Sequence, residues 1–239
     1  MIEILVVSFF SGLYTSCWGA YKDSPYEGWK THVFPRSILF SLFFAIFFSI
    51  PYFRVNLKTF SMFEVFFFIM GIERSFSEVY KGCFRWWKKE NTEIFLIPQH
   101  LTILGKKIPS ITSACLGMIS IIGMLVCFRA PWYISSLPSF LITSVLTGLV
   151  IAAFGSNKDA PFEGFSKYKF FRSAIVLGVC FPSFYFLNQK SEIQVAVLTT
   201  MFGGLERFLI EFYKSYIQKS RPGKFKDRNP SLKGTDLLI

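Results

Sequence analysis

The sequence predicts an all-α integral membrane protein: seven transmembrane helices in a 3+1+3 parallel internal repeat, N-terminus outside and C-terminus cytoplasmic. Three observations predict it. Of 239 residues, 52% are hydrophobic and only 17% charged, against roughly 25% charged in a soluble domain. The apolar residues fall in blocks about 20 residues long, the length that crosses a bilayer as a helix. The chain also carries one pattern of loop and helix residues twice. A soluble globular chain and a disordered one are both excluded by this composition.

Hydropathy places the spans at about 2–21, 33–53, 60–82, 110–128, 138–156, 169–188 and 193–215, each near the membrane-crossing length. The first is read as a retained helix, because Met1-Ile2-Glu3 lacks a basic leader region. Seven spans put the termini on opposite sides, and Lys/Arg placement chooses between the two orientations. With the C-terminus inside, 22 basic residues face the cytoplasm and four (Arg54, Lys58, Arg129, Lys190) face out, a strong positive-inside bias. The net charge of +11 therefore points to the membrane surface and anionic lipids as partners, and not to nucleic acid. A homo-oligomer or protein partner remains compatible with the same charge.

The organisation follows from the repeat. WGAYKDSPYEGWKTHVFPRS (18–37) matches FGSNKDAPFEGFSKYKFFRS (154–173) at an offset of 136, with nine of twenty positions identical. GIERSFSEVYK (71–81) matches GLERFLIEFYK (204–214) at an offset of 133. The two blocks occur in the same order in each copy, which indicates duplication. Residues 1–84 form the first three-helix repeat, 85–137 an interfacial loop and connector helix, 138–218 the second repeat, and 219–239 a basic cytoplasmic tail. Within 85–137, the Arg85-Trp86-Trp87-Lys88-Lys89 run has the composition of an interfacial anchor, and an amphipathic or re-entrant segment is expected up to Pro109.

The candidate site is the repeated set of charges. The first copy supplies Lys22, Asp23, Glu27, Arg36, Glu73, Arg74, Glu78 and Lys81; the second supplies Lys158, Asp159, Glu163, Arg172, Glu206, Arg207, Glu211 and Lys214. Pro25-x-Glu27-Gly28 and Pro161-x-Glu163-Gly164 read as tight turns. Gly71, Arg74, Glu78 and Lys81 are spaced 3, 4 and 3, so they share one helical face, with Arg74 and Glu78 as i,i+4 partners. Counting roughly 1.5 Å per residue from Thr59 puts Glu73 about 21 Å into a hydrocarbon layer roughly 30 Å thick. Ionisable groups at such depth are functional candidates unless they pair with one another. Each copy balances four acids with four bases, which is also what an ion-pair lock between helices needs.

No metal or cofactor is expected. Cys17, Cys83, Cys115, Cys127 and Cys180 have no paired spacing, and His32 and His100 are solitary. Asp23 and Glu27 offer two oxygens of undefined geometry. Ser37 and Ser173 lack a partner base and read as helix-start residues, not nucleophiles. Three functions fit: a transporter or channel with its charged site between helices 3 and 7, a membrane enzyme or lipid-handling protein gripping phosphate with Arg36, Arg172, Arg74 and Arg207, or a non-catalytic scaffold. The first is the leading expectation, in a plasma or inner membrane. Whether the chain is an enzyme is open, because no phosphotransferase, prenyltransferase or acyltransferase motif is identifiable in it.

Overall fold

A computed structural model describes residues 1–53, 55–85, 95–98, 100–187 and 192–217. Its α-helices are α1 (Ile2–Glu27), α2 (Pro35–Phe48), α3 (Met62–Val79), α4 (Ser110–Cys127), α5 (Leu137–Glu163), α6 (Lys167–Leu187) and α7 (Val195–Phe212). Each expected span overlaps one of them. Four helices (α1, α4, α5 and α6) are long and apolar enough to cross a membrane. The α2 helix has 14 residues, about 21 Å at 1.5 Å per residue, which is short of a core roughly 30 Å thick. It ends before Ile50-Pro51, whose ring cannot continue it.

Local chemistry sets the ends. Ser61 and Glu64 form a capping box on α3: Ser61 N–H donates to Glu64 Oε2 at 2.7 Å, and Glu64 N–H to Ser61 Oγ at 3.3 Å. Such a cap is worth about 1 kcal/mol. The expected tight turns after Pro25 and Pro161 do not form, because both helices run one more turn. They stop at Gly28 (φ 76°) and Gly164 (φ 82°), where a left-handed backbone suits only glycine without strain. Past α3 and α7 the helix loosens into one π turn each, Tyr80–Phe84 and Tyr213–Ile217.

Glycines decide how closely the helices meet. A Cβ on Gly12 would lie 2.6 Å from Ile38 Cα, and one on Gly148 2.5 Å from Ala174 Cα. These glycines seat α1 on α2 and α5 on α6, as small residues do in membrane bundles. The core beyond is largely aromatic, with Phe48, Phe68, Phe128, Phe140, Phe184 and Phe202 essentially sealed. Phe48 lies edge-on to both Phe68 (5.4 Å) and Phe128 (4.9 Å), pairs worth about 1 kcal/mol beyond burial.

The described part of the connector includes a short hairpin. Residues 102–103 (β1) and 106–107 (β2) form a hairpin through Leu104-Gly105, in place of an amphipathic or re-entrant segment there. Asn157 of α5 holds it, accepting from Leu104 N–H and donating to Thr102 O, both at 3.3 Å. The Trp86-Trp87 anchor and the tail from residue 218 lie outside the described residues. At the opposite end, Tyr133–Ile134 (β3) pairs with Ile193–Gln194 (β4). The Gln194 amide donates to the carbonyls of Phe128 (3.0 Å) and Ala130 (2.8 Å), tying the end of α4 to the start of α7.

Candidate functional site

Gly71 on α3 and Gly204 on α7 bring the two helices into backbone contact. A Cβ on Gly71 would overlap Thr200 O and lie 3.1 Å from Gly204 N. A Cβ on Gly204 would overlap Phe67 O and lie 3.0 Å from Gly71 N. Phe67 and Thr200 each stand one turn before the glycine of their own helix, at matching places in the two copies, so the crossing is reciprocal. One turn further, the charged residues of both helices begin.

Their pairing runs largely between the halves of the chain. Arg74 Nη1 donates to Glu206 Oε2 at 2.8 Å, and Ser173 Oγ to the other oxygen at 2.7 Å. Lys22 reaches Glu211 at 3.0 Å, where Trp18 Nε1 (3.2 Å) and Arg207 Nη1 (2.9 Å) also bind. Lys158 lies 3.8 Å from Glu78, which also sits 3.7 Å from Lys81. The expected Arg74–Glu78 partnership gives way, because Arg74 turns across the crossing to the buried Glu206. In α7 the same spacing does make its pair, Arg207 with Glu211. Glu73 is different again: it is 2% exposed, and Ser37 Oγ (2.9 Å) and Ser77 Oγ (2.8 Å) both donate to its Oε1.

The remaining predicted residues divide by position. Asp23 and Arg36 face the cavity described below, whereas Glu163 pairs with Lys169 at 3.3 Å on the surface. Asp159 and Lys214 are half-buried at the same end of the molecule, and Arg172 stands at the start of α6. The Glu27 side chain lies outside the described residues. Sequence reasoning missed Ser37, Ser77, Ser173 and Trp18 as partners of the buried carboxylates. The signal for two of them was visible, since Ser37 and Ser173 follow Arg at matching positions in both halves.

A cavity of about 180 Å³ lies beside the crossing and not within it, between α1, α2, the 28–34 connector and α3, with Arg207 reaching in from α7. At the glycine crossing itself α3 and α7 leave no room, and the expected charges of both helices gather one turn beyond it, where Arg74 and Arg207 reach the cavity. Five cations line the cavity (Lys30, Arg36, Arg74, Lys81, Arg207) against three carboxylates (Asp23, Glu73, Glu78). The Nε of Arg36 is buried with no hydrogen-bond partner, as is that of Arg172. An unmet guanidinium donor in a wall of net positive charge is suited to an anion. Among the described residues no cluster of three His, Cys, Asp or Glu is arranged to hold a metal ion. Comparison with protein family models, curated proteins and solved structures finds no match to this chain.

Proposed function

We propose that the chain is a seven-span, duplicated membrane protein, N-terminus out and C-terminus in, that binds an anionic ligand in the cavity at its cytoplasmic end. The observation that carries the reading is the cavity itself: five cations to three carboxylates, with the Arg36 Nε buried and unmet. A binding role fits better than an open channel, because the α3–α7 crossing is in backbone contact and phenylalanines fill the bundle beyond it.

Duplication and parallel orientation are supported by features that recur at one offset. Gly12 and Gly148 make the same close approach, Gly28 and Gly164 the same cap, and Ser37 and Ser173 the same bond to a buried glutamate. The members of each pair stand at the offset that relates the two KDxPxEG blocks. The seven-span reading needs α2, α3 and α7 to cross with their charged ends at the headgroups, where the positive-inside bias puts them.

The direct test is anion-dependent stability of the detergent-purified protein. Multivalent anions such as sulfate, phosphate and citrate, compared with chloride at equal ionic strength, should raise its unfolding temperature. A ligand at 100 times its Kd adds about 2.7 kcal/mol. Arg36→Gln should remove most of that gain, and equal melting in all four salts would reject the reading. Transport of the bound anion is a second reading, favoured by the unequal pairing of the two halves. Flux into proteoliposomes that is unchanged by Glu73→Gln and Glu206→Gln in folded protein would reject it.

A further inference from the structure

Resting on that anion-binding reading, we propose that the cavity takes a phosphate monoester in its doubly charged form. The first argument is charge. The lining carries two more cations than carboxylates. Behind the wall, Arg74 and Arg207 are held by Glu206 and Glu211, while Lys22 and Lys158 join the same network. Counting all of these gives seven bases to five acids, the same excess of two. A carboxylate or a phosphodiester brings one negative charge and offsets half of that excess. A phosphomonoester brings nearly two above its second ionisation, near pH 6, and closes the balance.

The second argument is donor geometry. Arg36 stands at the start of α2 with its Nε buried, so the guanidinium edge that would carry a two-point bond has an unused donor. A planar fork matches the oxygens of phosphate, and a monoester keeps three of them free. Lys30 on the connector and Lys81 at the end of α3 line the same cavity, so cations approach the ligand from three elements. The Trp29 and Phe34 rings, 5.2 Å apart, belong to the connector that lines the cavity. An amphipathic cover of this kind is compatible with a lipid headgroup or with a free ester.

The test uses the full purified chain and separates the two sources. Glycerol 3-phosphate probes the free ester by thermal shift against chloride at equal ionic strength. Native mass spectrometry probes the headgroup, after incubation with phosphatidylcholine vesicles doped with phosphatidic acid or, at the same molar fraction, with phosphatidylglycerol. One phosphatidic acid per chain, retained at least tenfold more than phosphatidylglycerol, supports the inference and assigns a lipid. Stabilisation by glycerol 3-phosphate without retention of phosphatidic acid supports it and assigns a free ester. In either case Arg36→Gln weakens binding at least tenfold; if that variant does not fold, Arg36→Lys takes its place, keeping the charge and losing the fork. Equal retention of phosphatidylglycerol and phosphatidic acid overturns the monoester and leaves the anion reading standing. No response to either monoester overturns the inference, and the sulfate and citrate melts then decide whether the anion reading falls with it.

Discussion

The two halves of the chain share their helix contacts and differ in what their charges do. In the second half the buried carboxylates are closed off. Glu206 holds Arg74 and Ser173, and Glu211 holds Lys22, Arg207 and Trp18. In the first half, among the described residues, Glu73 accepts from two serine hydroxyls, and Glu78 is half-exposed between two loosely placed lysines. The cavity lies on the first-half side. Sequence explains part of this, because Thr15, Ser16 and Ser24, which line the cavity, become Ile151, Ala152 and Ala160 at the matching positions. These three hydroxyls are missing from the second half, whereas the charged lining residues Asp23, Arg36, Glu73, Arg74, Glu78 and Lys81 recur there as Asp159, Arg172, Glu206, Arg207, Glu211 and Lys214. The repeated charges are thus a closed structural clamp in one half and line a cavity in the other.

The largest effect should come from breaking the clamp. Glu206→Gln leaves Arg74 facing a neutral amide, and disrupting one side of a buried pair costs about 3 to 5 kcal/mol. Glu73→Gln loses bonds only to hydroxyls and should cost about 1 to 3 kcal/mol. Denaturation midpoints of the two variants in the same detergent measure the difference. A Glu73→Gln variant as unstable as Glu206→Gln would erase the distinction drawn between the halves.

The crossing itself gives the next effect. Gly71→Ala and Gly204→Ala each drive a methyl into a backbone carbonyl, so both should destabilise by about 1 to 3 kcal/mol. Gly203→Ala is the control one residue away, since a Cβ there meets nothing within 4 Å. It should be neutral, or gain up to about 1 kcal/mol from better helix propensity. Unequal losses at Gly71 and Gly204 would break the reciprocity of the contact.

Much of this was legible in the chain and some was not. The seven α-helices among the described residues were visible as apolar blocks, and the charged residues were visible as repeated motifs. The partners were hidden for a physical reason: i,i+4 spacing marks who can meet along one helix, whereas Arg74 finds a carboxylate 132 positions away across a crossing. The glycines at 12 and 148 lie just outside the matched blocks, and single small residues give no hydropathy signal. The Asn157 bonds that hold the 102–107 hairpin were equally invisible, because a polar residue in the second repeated block reads as loop when its partner is a distant backbone.

The smallest effect is the sharpest comparison, because it sets matching residues against each other. Lys22 and Lys158 occupy the same place in the KDxPxEG motif and both reach a glutamate of the other half. Lys22 does so at 3.0 Å to a carboxylate only 5% exposed, Lys158 at 3.8 Å to one 50% exposed. Lys22→Met should cost about 1.5 kcal/mol, the worth of a charged hydrogen bond to a buried partner. Glu211 keeps Arg207 and Trp18, so the loss stops short of a broken pair. Lys158→Met should cost less than about 1 kcal/mol, as exposed ion pairs do. Salt separates them further. At 1 M the screening length shrinks to about 3 Å, which should remove what Lys158 contributes and leave most of the Lys22 effect. If both losses vanish in salt, the Lys22–Glu211 pair is as wet as its counterpart, and the second half is not the closed one.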